Sequence, residues 1–438
     1  MINPYHWQMP IINKVTASLQ CRRFAINASG TGAGKTVMAL ASAKALALAG
    51  DIEHCLVIAP KVSLTQWQST AEGMGIKELI LGCINPEKIS KPTGCAFYHK
   101  DTNWQLPPKT LVIWDEPHRN ASGIQSQATF AMARLKAFPT VRLLAMSATL
   151  ADSPLKLRAL GFWNDNHNFT LPSFHSWCKT KGCAFEELNG RYVLRFTRSR
   201  VEAKKHMASI RAGFGMAYVA IPLEDIPNFP EQTLDVIRID LDKRSRDEIN
   251  KCYHEMSERM KTRAKSELAE IGKCRERVEF SKADAIAELA QSHISNNKSV
   301  VIFCNYTTAR NRIAQMLARE GIEVGQIYGG QKDEDRQKAI DKFQANQLHV
   351  MIVMTAAGGA ALSLHDTRHE RPRVSLITPS FNAAEVRQAL GRIRRCNGTS
   401  VEQYFVLAAK TIEDQVSRKL EAKLNNIDTI NDNDLMIG

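Results

Sequence analysis

The segment Ser29-Gly-Thr-Gly-Ala-Gly-Lys35-Thr36 packs three glycines, a lysine and three hydroxyl side chains into eight residues. Glycines let the backbone curl so that successive N–H groups converge, and with a helix start they form an anion cradle. Ser29, Gly30, Thr31, Gly32, Ala33 and Gly34 would line that cradle. Lys35 would reach β- and γ-phosphates, and the Thr36 hydroxyl would bind Mg2+. The strict pattern opens with glycine where this chain has Ser29, so the strand–loop–helix context has to carry the assignment. A second candidate is Asp115-Glu116-Pro117-His118, two adjacent carboxylates at the end of an apolar run. Asp115 is expected to hold Mg2+ and Glu116 to orient or deprotonate an attacking water. A third is the stretch Arg191–Arg211, with seven Lys/Arg and one acid, Glu202, near Trp177, Tyr192 and Phe196. It reads either as a duplex-gripping element carried by Arg195, Arg198 and Arg200 or as a solvated helix face.

These residues must be held by elements. Phe24–Ala28, His54–Ala59, Thr110–Asp115 and Val141–Ser147 form one block of short apolar runs. Ser299–Cys304, Glu323–Tyr328, His349–Thr355, Arg373–Pro379 and Gln403–Leu407 form another. Runs such as LVIWD and SVVIFC are apolar throughout, the pattern of central parallel strands covered on both faces. The intervening segments, for example Thr36–Ala49 and Thr308–Arg319, have helical spacing. The expected fold is therefore α/β, with two doubly wound parallel-sheet lobes and an inserted, mainly helical and basic region. The expected divisions are an ATP-binding lobe over 1–152, an insertion with a Pro-rich connector over 153–240, a helical bridge over 241–295 and a second lobe over 296–438. Lys243–His293 is dense in Lys, Arg and Glu and should be long helix.

The chain has 438 residues, and 58 Lys/Arg against 45 Asp/Glu leave a net charge of +13. That excess favours a polyanionic partner, nucleic acid above all. The longest mostly apolar run without a charge, Val350–Leu364, is too short to span a bilayer and is interrupted by Thr355, Gly358, Gly359 and Ser363. The N-terminus lacks a basic segment leading into an apolar one, so no signal peptide is expected. The ten cysteines are scattered, and Cys178 and Cys183 have no second pair to complete a metal set. Reduced, mostly buried thiols in a cytoplasmic protein are expected.

Taken in order, these motifs resemble those of the superfamily 2 helicases and translocases, within them the Swi/Snf-like branch, over nearly the whole chain. Gln8 lies where that family reads adenine. Ala59-Pro60-Lys61 with Gln66-Trp67 resembles the first nucleic-acid-contacting motif. Asp-Glu-Pro-His118 followed by Ser147-Ala-Thr149 resembles the acid box and the coupling motif. Asn305-Tyr306, Tyr328-Gly329-Gly330 and Thr355-Ala-Ala-Gly358-Gly359 are similar to motifs of the second lobe. Gln388-Ala-Leu-Gly391-Arg392-Ile-Arg-Arg395 is similar to the arginine-finger motif. Thr411-Ile412-Glu413 resembles the ending of the Swi/Snf branch. The resemblance implies that the two doubly wound lobes are RecA-like, that Gly359 faces the nucleotide and that Gln388 couples the lobes. It implies that Arg392 and Arg395, sharing one face at a helix start, supply the charge that neutralises the γ-phosphate, worth ~10³–10⁵ in rate. Pro60, Lys61, Asn305, Tyr306 and Thr355 would contact the nucleic-acid backbone. Ala356, Ala361 and Ser363 depart from the family's usual residues.

The implied activity is ATP hydrolysis with Mg2+, coupled to movement on, or remodelling of, duplex or branched DNA without sequence preference. Such a compact motor resembles a phage or bacterial replication–recombination factor. It would work as a cytoplasmic monomer with no membrane partner, alongside replication or recombination proteins. The alternatives are an RNA helicase of the same superfamily and a non-motor phosphate-loop ATPase acting on a protein.

Overall fold

The computed structural model describes all residues except 92–94, 100–102, 149, 189–190, 263–266, 356–361, 379–382, 416–417 and 419–438. The chain divides into two units, Met1–Pro227 and Asn228–Gly438. Strands of the first unit are β1 (Phe24–Asn27), β2 (His54–Ile58), β3 (Ile80–Ile84), β4 (Tyr98–His99) and β5 (Asn103–Trp104). They continue with β6 (Thr110–Asp115), β7 (Arg142–Met146), β8 (Cys183–Leu188), β9 (Arg191–Phe196) and β10 (Tyr218–Val219). A six-stranded sheet runs in the order β10-β1-β7-β6-β2-β3, and every pairing in it is parallel.

Strands of the second unit are β11 (Gln232–Ile239), β12 (Ser299–Cys304), β13 (Val324–Ile327), β14 (Val350–Met354), β15 (Arg373–Ile377) and β16 (Val401–Ala408). Their sheet, β11-β16-β15-β12-β14-β13, is also parallel throughout. The run SVVIFC shows why. All six residues of β12 are buried. Val301 and Phe303 pack on one face with Ile249, Met256 and Val278, while Val300, Ile302 and Cys304 pack on the other with Ile286, Ile313 and Leu317. A strand apolar on both sides needs helices on both sides, and right-handed βαβ crossovers supply them. All nine strands expected from the sequence are present. The half-buried edges β3 and β11 and the two-residue β10 carry too little apolar signal to be read in advance.

Two corrections concern the middle of the chain. Lys243–His293 is helical as expected where it is described, over Lys243–Thr262, Glu267–Phe280 and Ala283–Ser295. They are not a bridge, because Ile249, Cys252, Tyr253 and Met256 form an apolar stripe at helical spacing that is buried in the second unit's core. Likewise, residues 228–240, grouped above with the insertion, belong to the second unit, where β11 pairs with β16. Within the insertion, β8 and β9 form an antiparallel hairpin, followed by the helix Arg200–Gly213. All ten cysteines are free thiols; Cys21 is exposed, and Cys55, Cys178, Cys183, Cys252, Cys274 and Cys304 are buried. Among the described residues no helix is long and apolar enough to cross a membrane.

Candidate active site

The phosphate loop leaves β1 and enters the helix Lys35–Leu48. Gly32 and Gly34 have φ of +90° and +76°, which L side chains rarely adopt, so the curl requires glycine at both places. Gly34 is also the cap of the helix, and a Cβ there would stand 2.6 Å from Gln8 Nε2. Lys35 Nζ arches back and donates to the carbonyl oxygens of Ser29 (2.9 Å) and Gly30 (3.1 Å). Gln8 is buried; its Nε2 donates to Ala33 O (3.0 Å) and its Oε1 accepts from Tyr5 N. The sequence's adenine candidate therefore touches the loop directly. Ser29 is fully buried, and its Oγ accepts from Ile221 N at 3.3 Å.

The acid box follows β6, and Ser147 follows β7. Because β1, β7 and β6 are adjacent, their C-terminal ends bring the loop, the acids and Ser147 to one edge of the sheet, where doubly wound folds bind ligands. Glu116 has φ +51° and ψ 52°, a left-handed conformation costing about 1–3 kcal/mol in a residue with a Cβ. It is held there by its N–H bond to Met146 O (2.8 Å) and by its side chain. Ser147 Oγ donates to Glu116 Oε2 (3.0 Å), and His118 Nδ1 lies 2.8 Å from Ser147 Oγ and 3.1 Å from Glu116 Oε2. With the serine hydrogen on the carboxylate, His118 Nδ1 is the donor in its contacts with these two oxygens. Burial pushes the Glu116 carboxyl up, but the His118 hydrogen bond and charge, the Lys35 ammonium and the Ser147 hydroxyl outweigh it and hold it well below the usual carboxylate range. An ionised carboxylate at this position suits a group that aligns or deprotonates water. Asp115, half-buried, accepts from the indole of Trp67 (Nε1–Oδ2 3.3 Å). Trp67 is thus an anchor for the acid box and lies buried, not turned toward a nucleic acid. The curled loop with its lysine suits a nucleotide's phosphates, and the oxygen donors of Thr36 and Asp115 suit Mg2+, a hard cation.

In the second unit the helix Ala383–Leu390 ends before Gly391. Arg392 and Arg395 therefore follow a helix end and do not share a face at a helix start. The buried Gln403 of β16 donates to the last carbonyl, Leu390 O (3.0 Å), which closes the helix. Arg392 and Gln388 are both buried. Arg395 donates to Leu362 O (2.7 Å), and burial draws its guanidinium down to about 10. Thr149 and Gly359 lie outside the described residues.

Of the expected nucleic-acid contacts, Lys61 is exposed and Pro60 half-buried at the start of a short turn after β2. Asn305, Tyr306 and Thr355 are arranged differently. The amides of Asn305 (2.7 Å) and Tyr306 (2.9 Å) donate to Glu279 Oε1, and Asn305 Nδ2 and Thr378 Oγ1 donate to Oε2. Thr355 Oγ1 donates to Cys304 O. These groups, expected to hold phosphates, are committed to partners inside the unit. Glu279 is nearly fully buried, and burial pushes its carboxyl up despite the four bonds it accepts. Nearby, Lys282 and Glu413 form a buried ion pair at 3.0 Å that also binds Val406 O and Ala408 N. Neither Glu279 nor Lys282 stands out in the sequence, because their partners lie far along the chain. On the hairpin, Arg195 (3.9 Å) and Arg198 (2.8 Å) both face Glu186, an acid brought across from β8. Arg200 begins the following helix, and its side chain is outside those described.

A parallel α/β lobe with a lysine-bearing phosphate loop on one strand end and a carboxylate–serine–histidine cluster on the neighbouring ends defines a phosphate-loop ATPase. Two family models match its two lobes: type III restriction enzyme, res subunit, over residues 1–152, and helicase conserved C-terminal domain over residues 281–397. Together the two matches support a superfamily 2 helicase or translocase. Among its relatives, an Acanthamoeba polyphaga mimivirus protein provisionally named an ATP-dependent RNA helicase is 28% identical over 94% of this chain and 80% of its own length. The Arabidopsis thaliana protein Chromatin Remodeling 24 is 27% identical over 32% of this chain and 12% of its own length. Saccharomyces cerevisiae Dbp5 bound to RNA and ADP BeF3 shares the fold, with a TM-score of 0.54 at 14% identity, covering 97% of this chain and 88% of Dbp5.

Proposed function

We propose that the chain is an ATP-driven motor that moves on or remodels duplex or branched DNA. The observation that carries the motor reading is the meeting of Lys35, Glu116, Ser147 and His118 at three adjacent strand ends of one lobe, in a chain that also carries a second lobe with Arg392 and Arg395. Mg2+, when bound with ATP, supplies charge neutralisation at the phosphates. The chain's own residues do the rest. Lys35 holds the β- and γ-phosphates, and Thr36 and Asp115 offer oxygens to the cation. Glu116 orients water, and Ser147 and His118 hold Glu116. Arg392 or Arg395 neutralises the γ-phosphate, and Gln388 and Thr149 take part in coupling. Lys61, Pro60 and the hairpin arginines meet the nucleic-acid backbone. The DNA assignment is supported by the +13 net charge and by the Thr411-Ile412-Glu413 ending, whose glutamate is tied into the lobe by Lys282. A role in replication, recombination or repair belongs to the same reading.

RNA is the second reading, favoured by the name of the mimivirus relative. ATPase activity measured with duplex DNA, forked DNA and single-stranded and duplex RNA separates the two. Greatest stimulation by forked or duplex DNA is expected. Greatest stimulation by RNA would move the motor to the second reading, and none with any nucleic acid would remove the motor.

A further inference from the structure

The segment that leaves the first unit is fastened to the phosphate loop. β10 pairs with β1 in register, Tyr218 opposite Ile26 and Val219 opposite Asn27, and Ala28 N donates to Val219 O (2.7 Å). Two residues later Ile221 N donates to Ser29 Oγ. Leu223 then lies across Gly30 so closely that a Cβ added to the glycine would stand 2.6 Å from Leu223 Cγ. Ile226 is buried, Pro227 ends the first unit and Asn228 begins the second. Pro222 and Pro227 stiffen the segment, since proline fixes φ. The hydroxyl at position 29, where the strict motif has glycine, is thus used to hold this strap, and the small side of Gly30 is its seat.

We infer that Leu223, with the Ile221–Ser29 bond, is a positioning residue for the phosphate loop. Through it the connector sets the loop's hydrolytic competence when nucleic acid engages the second unit. The physical reason is connectivity. Whatever displaces residue 228 acts on a short, stiff segment that is fastened to the loop through Ile221 and Leu223. A stiff strap transmits displacement, and a slack one absorbs it. The inference rests on the reading of the chain as a nucleic-acid-stimulated motor.

The test uses the full chain with the best activating nucleic acid. In Leu223→Ala, the ratio of stimulated to basal turnover should fall by ~10-fold, within the usual range of coupling between sites. Leu223→Met should restore the ratio. A second variant alters no packed side chain: an insertion of about four Gly/Ser residues between Pro227 and Asn228, which adds up to ~3.5 Å of reach per residue. It should lower the ratio as Leu223→Ala does. A wild-type ratio in both variants overturns the strap, as does a proportional fall of basal and stimulated rates. A wild type that no nucleic acid stimulates overturns the motor reading, and the strap with it.

Discussion

At Lys35 the side chain spans the loop it would serve, and its ammonium donates to the carbonyl oxygens of Ser29 and Gly30. Lys35→Ala should therefore abolish ATP hydrolysis while leaving the far-ultraviolet circular dichroism and melting temperature near wild type. Turnover like that of wild type would remove the phosphate-loop assignment. Glu116→Gln keeps the shape of the side chain and a partner for Ser147, but loses the charge. It should lower turnover by ~10²-fold or more, as for loss of a general base, while retaining bound ATP, measured by filter binding beside single-turnover kinetics. The same substitution has a stability signature. The folded carboxyl lies below its ordinary value of 4.5, so its ionisation favours the folded chain above that pH, and the contribution fades as pH falls through the folded pKa. The melting-temperature advantage of wild type over Glu116→Gln should therefore shrink on acidification from pH ~7 to pH ~3. A constant difference would mean that Glu116 is not held down by its neighbours.

Among the elements, the β8–β9 hairpin is where pairing changes the charge seen in the sequence. The stretch from Arg191 to Arg211 reads as strongly basic, yet strand pairing sets Glu186 against Arg195 and Arg198. Glu186→Gln should free both arginines and steepen the log–log salt dependence of duplex binding by roughly 0.9 per phosphate gained. Charge reversal at Arg195, Arg198 and Arg200 should impair strand displacement more than basal ATPase. An unchanged salt slope in Glu186→Gln would leave the hairpin as a solvated surface. This element also marks what the sequence can tell. The phosphate loop and the acid box were legible because each packs its chemistry into contiguous residues. The nine apolar strands were legible because burial on both faces leaves unbroken apolar runs. The contacts of Glu116 with Ser147 follow from β6 lying beside β7, which no local pattern states. Trp67, Glu279 and Leu223 acquire their roles from partners 48, 26 and 193 residues away. A helix start and a helix end are likewise hard to tell apart around Gly391, where the decisive cap is the distant Gln403.

For the molecule as a whole, the +13 charge and the lack of a groove-reading motif lead to one solution property. Binding to duplex DNA should be nearly independent of sequence and steeply salt-dependent, with a slope near −0.9 for each phosphate neutralised. Titrations at several salt concentrations on two unrelated sequences check this, and a flat dependence or a strong sequence preference would contradict it. The order of the second sheet carries a different consequence, one for biosynthesis. β16, the last of its strands among the described residues, is inserted between β11, the first, and β15. A nascent chain that has not yet released Val401–Ala408 from the ribosome holds β11 without its partner along all eight residues and leaves β15 with an open inner edge. The first sheet can close once residue 219 has emerged, but the second must wait until residue 408 has followed. Premature termination just before β16 should therefore yield a protein with one finished lobe and one sticky, aggregation-prone half.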